Sequence, residues 1–530
     1  GALGPRAKGT VLTLGGLIDD PNLYVQKAAL QALKKIGTAG ISELQGAYTS
    51  QDHNTRTLAI IILGGLGGPE SVSILTGLCQ HKDLEVRQEA AKALGVIGPE
   101  AKNAIPILCS LCNDHKYQAI DQDMYAAETL GLIGQEAIPV LFMFSRNRDA
   151  NVRRAAATAF RELGPKGKDI LPILRLLCQD KVARVREEAA RAISHIGYEA
   201  YDAVPELKVL FRDHNHHVRG AAVYSLGCIG PRARTAVPEL ILLLKDTEHD
   251  VQVKTINALG NIGPEAKAAV PVLIELLKDK RLGSLAVQAL GQIGPEADAA
   301  VPELCELLSK DTDRLDIART LAKIGPAAKE AVPKLCAMLK EGNPPKMRYC
   351  AARTLGGIGP EAVAAVPELR CLLKEQDPVL RELAAYALGK IGPQAKEAVP
   401  ILRELCQDQN KEVQLEAILA IGMIGSDKTG LVSKLCIFAN DEDFQIREAA
   451  MRAFGDIGPE AQAAVPELCE VLKKNEDEQH EVELMAAITA LGKIGPAAKA
   501  ALPDLYKLQQ SHQEWYVRNA AELNIERIKG

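Results

Sequence analysis

The chain has 530 residues, enough for three or four ordinary globular domains, yet aromatic residues make up only 4% of it against 47% apolar residues in all. Its 63 basic and 68 acidic side chains give a net charge of −5, so the field of the whole protein offers nucleic acid no attraction and such a ligand would need a local basic patch. No apolar run reaches the roughly 18 residues that cross a bilayer, and no membrane span is expected.

The chain begins Gly1-Ala2-Leu3-Gly4-Pro5, without Met and without a charged-then-apolar leader. It starts inside a repeat, so the expectation is a truncated N-terminus on a cytoplasmic protein. Ala, Leu, Ile and Val must carry the core, which suits closely packed helices.

From there a glycine recurs along the chain: Gly4, Gly37, Gly67, Gly98, Gly134, Gly164, Gly197, Gly230, Gly263, Gly294, Gly325, Gly359, Gly392, Gly425, Gly458 and Gly495. Most intervals are 30 to 34 residues. A period in this range marks a solenoid, in which each unit packs only on its neighbours and one body can span the whole chain. About sixteen helix pairs follow, read as one continuous array over residues 1–530.

Each unit reads as two helices. The stretch 259–279, LGNIGPEAKAAVPVLIELLKD, shows the joint. Gly263 ends one helix, where a left-handed cap favours glycine, and Pro264 opens the next at its first position. Pro271 then falls inside that helix and should kink it by removing an internal hydrogen bond. The same Pro pair recurs ten times, from Pro99/Pro106 to Pro496/Pro503. The second helix resembles Asp83-Leu84-Glu85-Val86-Arg87 followed by QEAAKALGVIG. Asp83, Asp149, Asp377 and Asp443, with Asn22, Asn215 and Asn410, are placed as N-caps worth about 1 kcal/mol each. Val86, Ala90, Ala93, Leu94 and Ile97 form one buried stripe. No segment alternates with the period of a strand, so the fold class expected is all-α.

The irregular places are few. Long steps hold residues 113–125 and 473–481, read as surface insertions between the helices of a unit. Residues 135–150 lack the Pro pair and carry Phe142, Met143 and Phe144, which suggests a differently packed first helix. The turn 341–345, EGNPP, is stiffened by proline.

The pattern D-x-x-V-R-x-x-A-A-x-A-L-G-x-I-G-P resembles HEAT repeats, specifically the bacterial type also called phycobilisome-lyase HEAT-like repeats, along the whole chain. The resemblance implies a right-handed α-α superhelix. It implies a structural ladder of Asp and Arg between neighbouring repeats, which maps onto Arg87, Arg153, Arg186, Arg219, Arg348, Arg381, Arg447 and Arg518. Gln26, Gln252 and Gln414 replace the Arg, and the ladder should lose its charge there.

No constellation carries chemistry. Of the twelve cysteines, Cys109, Cys305, Cys336 and Cys469 recur three residues after the second Pro, and Cys112, Cys178 and Cys406 six after it. Free Cys at a recurrent helix position is a small core hydrophobe. Cys109 and Cys112 form a C-x-x-C without a second pair. His214, His216 and His217 lack partners with zinc spacing. Deoxyhypusine hydroxylase, an iron enzyme of similar repeats, has several His-Glu pairs, and only His480-Glu481 matches here. DNA glycosylases of this kind use aromatic residues that are scarce here. No cofactor, metal or catalytic residue is assigned, and the chain is read as a non-enzyme.

What remains is a surface. In a superhelix of this kind the second helices line the concave side. Two positions per unit face outward there and give Lys35, Lys92, Arg191, Arg319, Lys323, Arg353, Lys390, Arg452, Lys493 and Arg527, with Tyr224, Tyr386 and the variable Asn261 in the same rows. Glu128, Glu162 and Asp456 stand against them. Arg319, Arg353 and Tyr386 should form a ladder with steps of about 10 Å. Such a stripe either solvates a helix face or grips an acidic, extended protein segment through charge-assisted contacts. The reading is a monomeric scaffold or adaptor. Its alternatives are a bilin-lyase-like chromophore-handling protein and nucleic-acid binding through the basic stripe.

Overall fold

A computed structural model describes residues 53–113, 124–164, 169–310, 315–425, 428–473, 478–511 and 514–530, with isolated positions before residue 53. Among the described residues there are helices and no strand. The chain divides into two compact units, residues 1–265 and 266–530, and the same two-helix repeat builds each.

The second helix of a repeat is the regular one. Leu84–Ile97 buries Val86, Ala90, Ala93 and Leu94, as the spacing predicts, and leaves Ile97 half-buried. Asp83, Asp149, Asp377 and Asp443 all cap their helices, each accepting the amide two residues on; Asn215 and Asn410 cap theirs as well. Asn22 lies outside the described residues. Within each unit the second helices stack on those of the next repeat, for example Pro378–Ile391 on Lys411–Ile424. A glycine inside the helix permits the close approach: a Cβ on Gly131 would stand 2.2 Å from the Ala159 carbonyl oxygen. The glycines are thus of two kinds, those that end helices and those that let helices touch.

The joint differs from the expectation. Gly263–Ala269 is a 3-10 segment broken at Ala266 (φ −90, ψ 16), and a new α-helix, Val270–Leu276, begins after it with Pro271 in its first turn. Pro271 therefore does not kink a helix interior. It sits where its missing N–H has no intrahelical partner. A proline clashes with the carbonyl four residues back, so an α-helix cannot run from Pro264 through Pro271, and the chain crosses the gap in the tighter 3-10 form. The glycine before it is also not left-handed helical. Gly263 has φ 71 and ψ −139, a conformation open to glycine alone, and Gly425, at φ 60 and ψ 25, has the left-handed geometry.

The segment with Phe142 and Met143 is built like its neighbours. Ile138–Phe144 starts with Pro139 in its first turn, after a 3-10 turn shortened to Gln135–Ala137. Phe144 is buried, whereas Phe142 and Met143 face outward. Most of 113–125 lies outside the described residues, as do 474–477. The rest of the second expected insertion is no loop: Glu478–Ile494 is a lengthened second helix that begins within it.

The Arg ladder is present with a different anion. Arg153 donates to Asp180 from Nε and Nη2 at 2.6 and 2.9 Å, and from Nη1 to the carbonyls of Asn147 and Arg148. Arg186 pairs with Asp213, Arg219 with Asp246, Arg381 with Asp408 and Arg348 with Glu375. The four aspartates stand two residues before the N-cap, and each also accepts the amide of the cap residue. The cap aspartates of the motif give one oxygen to their own helices, and with the other Asp83 meets Arg56, Asp377 meets Tyr349 and Asp443 meets Lys411. Burial pushes the Asp180, Asp246 and Asp408 carboxyls up, but the Arg and cap-amide hydrogen bonds outweigh it and hold all three below the usual range. Arg447 reaches instead to Glu483, buried in the lengthened helix. Gln252 and Gln414 keep the bond to their own turn, at the Asp246 and Asp408 carbonyls, and carry no charge across. Gln26 lies outside the described residues.

All twelve cysteines are free. Cys79, Cys112, Cys178, Cys305 and Cys469 are buried, and burial pushes the Cys79 and Cys178 thiols up to about 12. A thiol so protonated is a poor nucleophile and a poor metal ligand. Cys371 is exposed.

Candidate protein-binding faces

The second helices present the rows read from the sequence. Lys92, Arg191, Tyr224, Asn261, Arg319, Lys323, Arg353, Lys390 and Arg452 are exposed, and so is Lys35. Tyr386 is half-buried. Its ring fills the place where a Cβ on Gly356 would lie 2.5 Å from it, so an alanine at 356 would expel it.

The rows are not uniformly basic. In residues 1–265, Lys92 meets Glu89 at 2.7 Å, and Arg191 meets Glu187 and Glu188 at 2.6 and 3.3 Å. Arg161, which the sequence reading passed over, bridges Glu128, Glu162 and Glu188. The two glutamates set against the stripe thus belong to a network within it. Burial pushes the Glu188 carboxyl up, against Arg191 and Arg161. Beside it, Arg191, His195, His217, Tyr224 and Lys254 line a groove of ≈ 400 Å³. The His216 and His217 rings lie 4.1 Å apart.

In residues 266–530 the ends of the row differ. Arg452 pairs with Glu448 at 2.5 Å, and Lys493 with Asp456 at 2.7 Å. These four side chains, with Glu481, Met485 and Tyr516, line a groove of ≈ 500 Å³. Tyr516 donates to Glu481, a contact hidden in the sequence because Glu481 read as loop. Arg319, Lys323, Arg353 and Lys390 make no ion pair among the described residues. The Lys390 ammonium lies 5.7 Å from the Tyr386 ring centre. Their charges converge on shared neighbours. Burial raises the Cys350 thiol, and Arg319 and Arg353 both oppose the rise. Burial raises Glu382, opposed by Arg353, and Glu416, opposed by Lys390 and Arg452. The row is therefore continuous from Arg319 to Arg452, with four unbridged cations at one end.

Among the described residues, no group of three His, Cys, Asp or Glu side chains is placed to hold a metal ion. No single described helix is long and apolar enough to cross a membrane; Tyr125–Ile133 and Gln135–Phe144 pass that test only together, bent by 115°.

Paired helices in tandem, stacked through alanine and glycine and tied by an Arg ladder, define a helical repeat solenoid. The chain belongs to the HEAT-repeat family, whose description matches residues 41–124, 118–194, 142–227, 172–242, 237–322, 314–389, 366–430 and 432–526. That match is to HEAT repeats in general. It does not single out the phycobilisome-lyase type, and it indicates no catalytic family. No curated protein matches the sequence. Among solved structures, importin beta in an ammonium sulfate condition aligns with 99% of this chain and 80% of its own, at 14% identity and a TM-score of 0.63. Yeast importin-beta (Kap95p) aligns over 99% and 79% at 12% identity and a TM-score of 0.60. A Kap95:Nup1 complex gives 97% and 86%, 11% identity and a TM-score of 0.53. At such identities the likeness is one of fold.

Proposed function

We propose that this chain is a protein-interaction scaffold, without catalysis of its own, that holds an acidic, extended protein segment on the second helices of its C-terminal half. One observation carries the reading: Arg319, Lys323, Arg353 and Lys390 are exposed, free of ion pairs and adjacent along one row, whereas Lys92, Arg191 and Arg452 are bridged to carboxylates. An unbridged guanidinium has its full donor set to offer a carboxylate. The fold supports the class of function, since the Kap95:Nup1 complex is a protein assembly on a similar solenoid. The continuous 1–530 array and the monomeric, cytoplasmic state belong to the same proposal.

Charge reversal at Arg319, Arg353 and Lys390 together should reduce binding of a poly-glutamate peptide by about a hundredfold, some 3 kcal/mol, with helicity unchanged. Undiminished binding ends the proposal. A nucleic-acid ligand is the competing reading, and the glutamates threaded through the row count against it. It requires a gel shift with generic DNA or RNA at low salt that weakens steeply as salt rises. Pigment carried by the purified protein would instead support chromophore handling.

A further inference from the structure

The first helices of residues 1–265 carry a second row, on the opposite element of the repeat. Met143, Leu176, Val209 and Leu242 follow one another in four consecutive repeats, each four residues after the proline that starts its helix, and are 65%, 55%, 70% and 72% exposed. The helices that bear them, Ile138–Phe144, Leu171–Leu177, Val204–Val209 and Val237–Leu243, are short, so each offers one such side chain. The last three are tied side by side. Arg175 meets Glu206 at 2.8 Å, and Lys208 meets Glu239 at 2.8 Å. The residues before Leu176 and Val209 are thus consumed in cross-repeat bridges, and the apolar side chains are left outward.

Three residues further on, one helical turn away, stand Arg146, Gln179, Arg212 and Lys245, all exposed. Arg146 lies over the Phe142 ring at 4.3 Å. Arg146, Arg212 and Lys245 make no ion pair among the described residues. In residues 266–530 the place of the apolar residue is held by Glu275, Glu306, Glu404 and Glu470 in four repeats and by Ala337, Cys371, Ile437 and Lys507 in the others, so an exposed apolar side chain, Ile437, occurs there singly; Glu470 bridges to Lys473 three residues on at 2.9 Å. The N-terminal half has the cation of that pair and lacks its acid.

We infer that this face docks an amphipathic, acidic α-helix of a partner protein, lying across the four first helices. Neighbouring helices stand about 10 Å apart, and a helix rises roughly 10.5 Å in seven residues. A partner helix with an apolar residue every seventh position therefore meets Met143, Leu176, Val209 and Leu242 in register. Glutamates three or four residues from each apolar position fall on the same face, one turn away, opposite Arg146, Arg212 and Lys245.

The test uses the full chain and a synthetic helix of roughly 22 residues, the length that spans four rungs, with Leu at every seventh position and Glu one turn on. This peptide should bind. Scrambling its Leu positions, or replacing Glu by Lys, should weaken binding at least about tenfold. On the protein, Val209→Glu with Leu242→Glu should weaken it about tenfold or more, and Arg212→Glu with Lys245→Glu likewise, with far-UV circular dichroism unchanged. The triple reversal at Arg319, Arg353 and Lys390 should leave this binding intact, which separates the two faces. Failure of the peptide to bind overturns the inference, as does equal binding of the scrambled peptide or indifference to Val209→Glu/Leu242→Glu. Concentration-dependent self-association in sedimentation that Leu242→Glu abolishes also overturns it, because the occupant is then a second copy.

Discussion

The two halves share a scaffold and differ in what they do with one position on it. In residues 266–530 the outward place on the first helix is acidic in four repeats, and in one of them Glu470 satisfies Lys473 one turn on. In residues 1–265 that place is Met143, Leu176, Val209 or Leu242, and the cations beyond it stay unbridged. On the second helices the pattern inverts: the N-terminal row is closed by Glu89, Glu187 and Glu188, and the open cations lie in the C-terminal half. Each half thus leaves one face unsatisfied, and not the same one. Satisfied surface pairs contribute little to stability, so these differences concern what the surface can meet.

The comparison requires that the internal scaffold be the same in both halves, and the largest expected effects test that. Arg219→Ala and Arg381→Ala each leave a buried aspartate, Asp246 or Asp408, without its cation. Each should destabilise its own half by about 3–5 kcal/mol, read by native-state hydrogen exchange of His216–Ile229 and Pro378–Ile391. A half that does not respond does not depend on its ladder. Because the folded Asp246 and Asp408 carboxyls lie below their unfolded value, the pairs stabilise the fold fully above the ordinary carboxylate range, near 4. That stabilisation is lost as pH falls through the lowered folded values. Glu188 and Glu416, raised by burial, act with the opposite sign: their protonation on acidification relieves strain. Urea melts should therefore show an acid-limb loss that Asp246→Asn flattens, and a rising limb there instead would mean that the raised glutamates dominate.

A middle-sized effect comes from the stacking glycines. An added Cβ would stand 2.2 Å from the Ala159 oxygen at Gly131, and 2.8 Å from the Ala420 Cα at Gly389. Gly131→Ala and Gly389→Ala should each cost about 1–3 kcal/mol in denaturant melts, the first more. The smallest effect belongs to the surface itself. Val209→Glu and Leu242→Glu give the N-terminal half the pairing of the C-terminal one, with Arg212 and Lys245 as partners. Stability should change by less than about 0.5 kcal/mol. A larger loss would show that Val209 and Leu242 support the fold and that the contrast between the halves is structural.

Much of the fold was legible because it rests on local chemistry repeated many times. The glycine period and the Asp83-type caps are short-range signals that any one copy could have hidden. What escaped notice depended on geometry beyond the turn. Pro271 suits a kinked helix interior and a helix start equally well on paper, and only the 3-10 crossing at Ala266 decides between them. Asp180 and Asp213 carry no local signal of their role, because their arginines lie 27 residues away. The basic row was counted without the glutamates one turn behind it, although Glu89 and Lys92 stand at a spacing that pairs on a helix. The outer apolar row was hidden for a different reason. In a seven-residue helix such as LPILRLL almost every position is apolar, and two turns are too few for periodicity to say that Leu176 faces out while Leu174 and Leu177 face in.

The glycine-and-proline joint also bears on how such a chain can be copied. Most second helices are stopped by a glycine in a conformation closed to other residues, as at Gly263, and most first helices are restarted by a proline, as at Pro271. A whole repeat can therefore be gained or lost between two joints without altering the helix before or after it. An added copy lengthens both outward rows by one rung and leaves the spacing between rungs as it was. A partner that reads spacing would find the longer chain equally familiar, with one more place to hold.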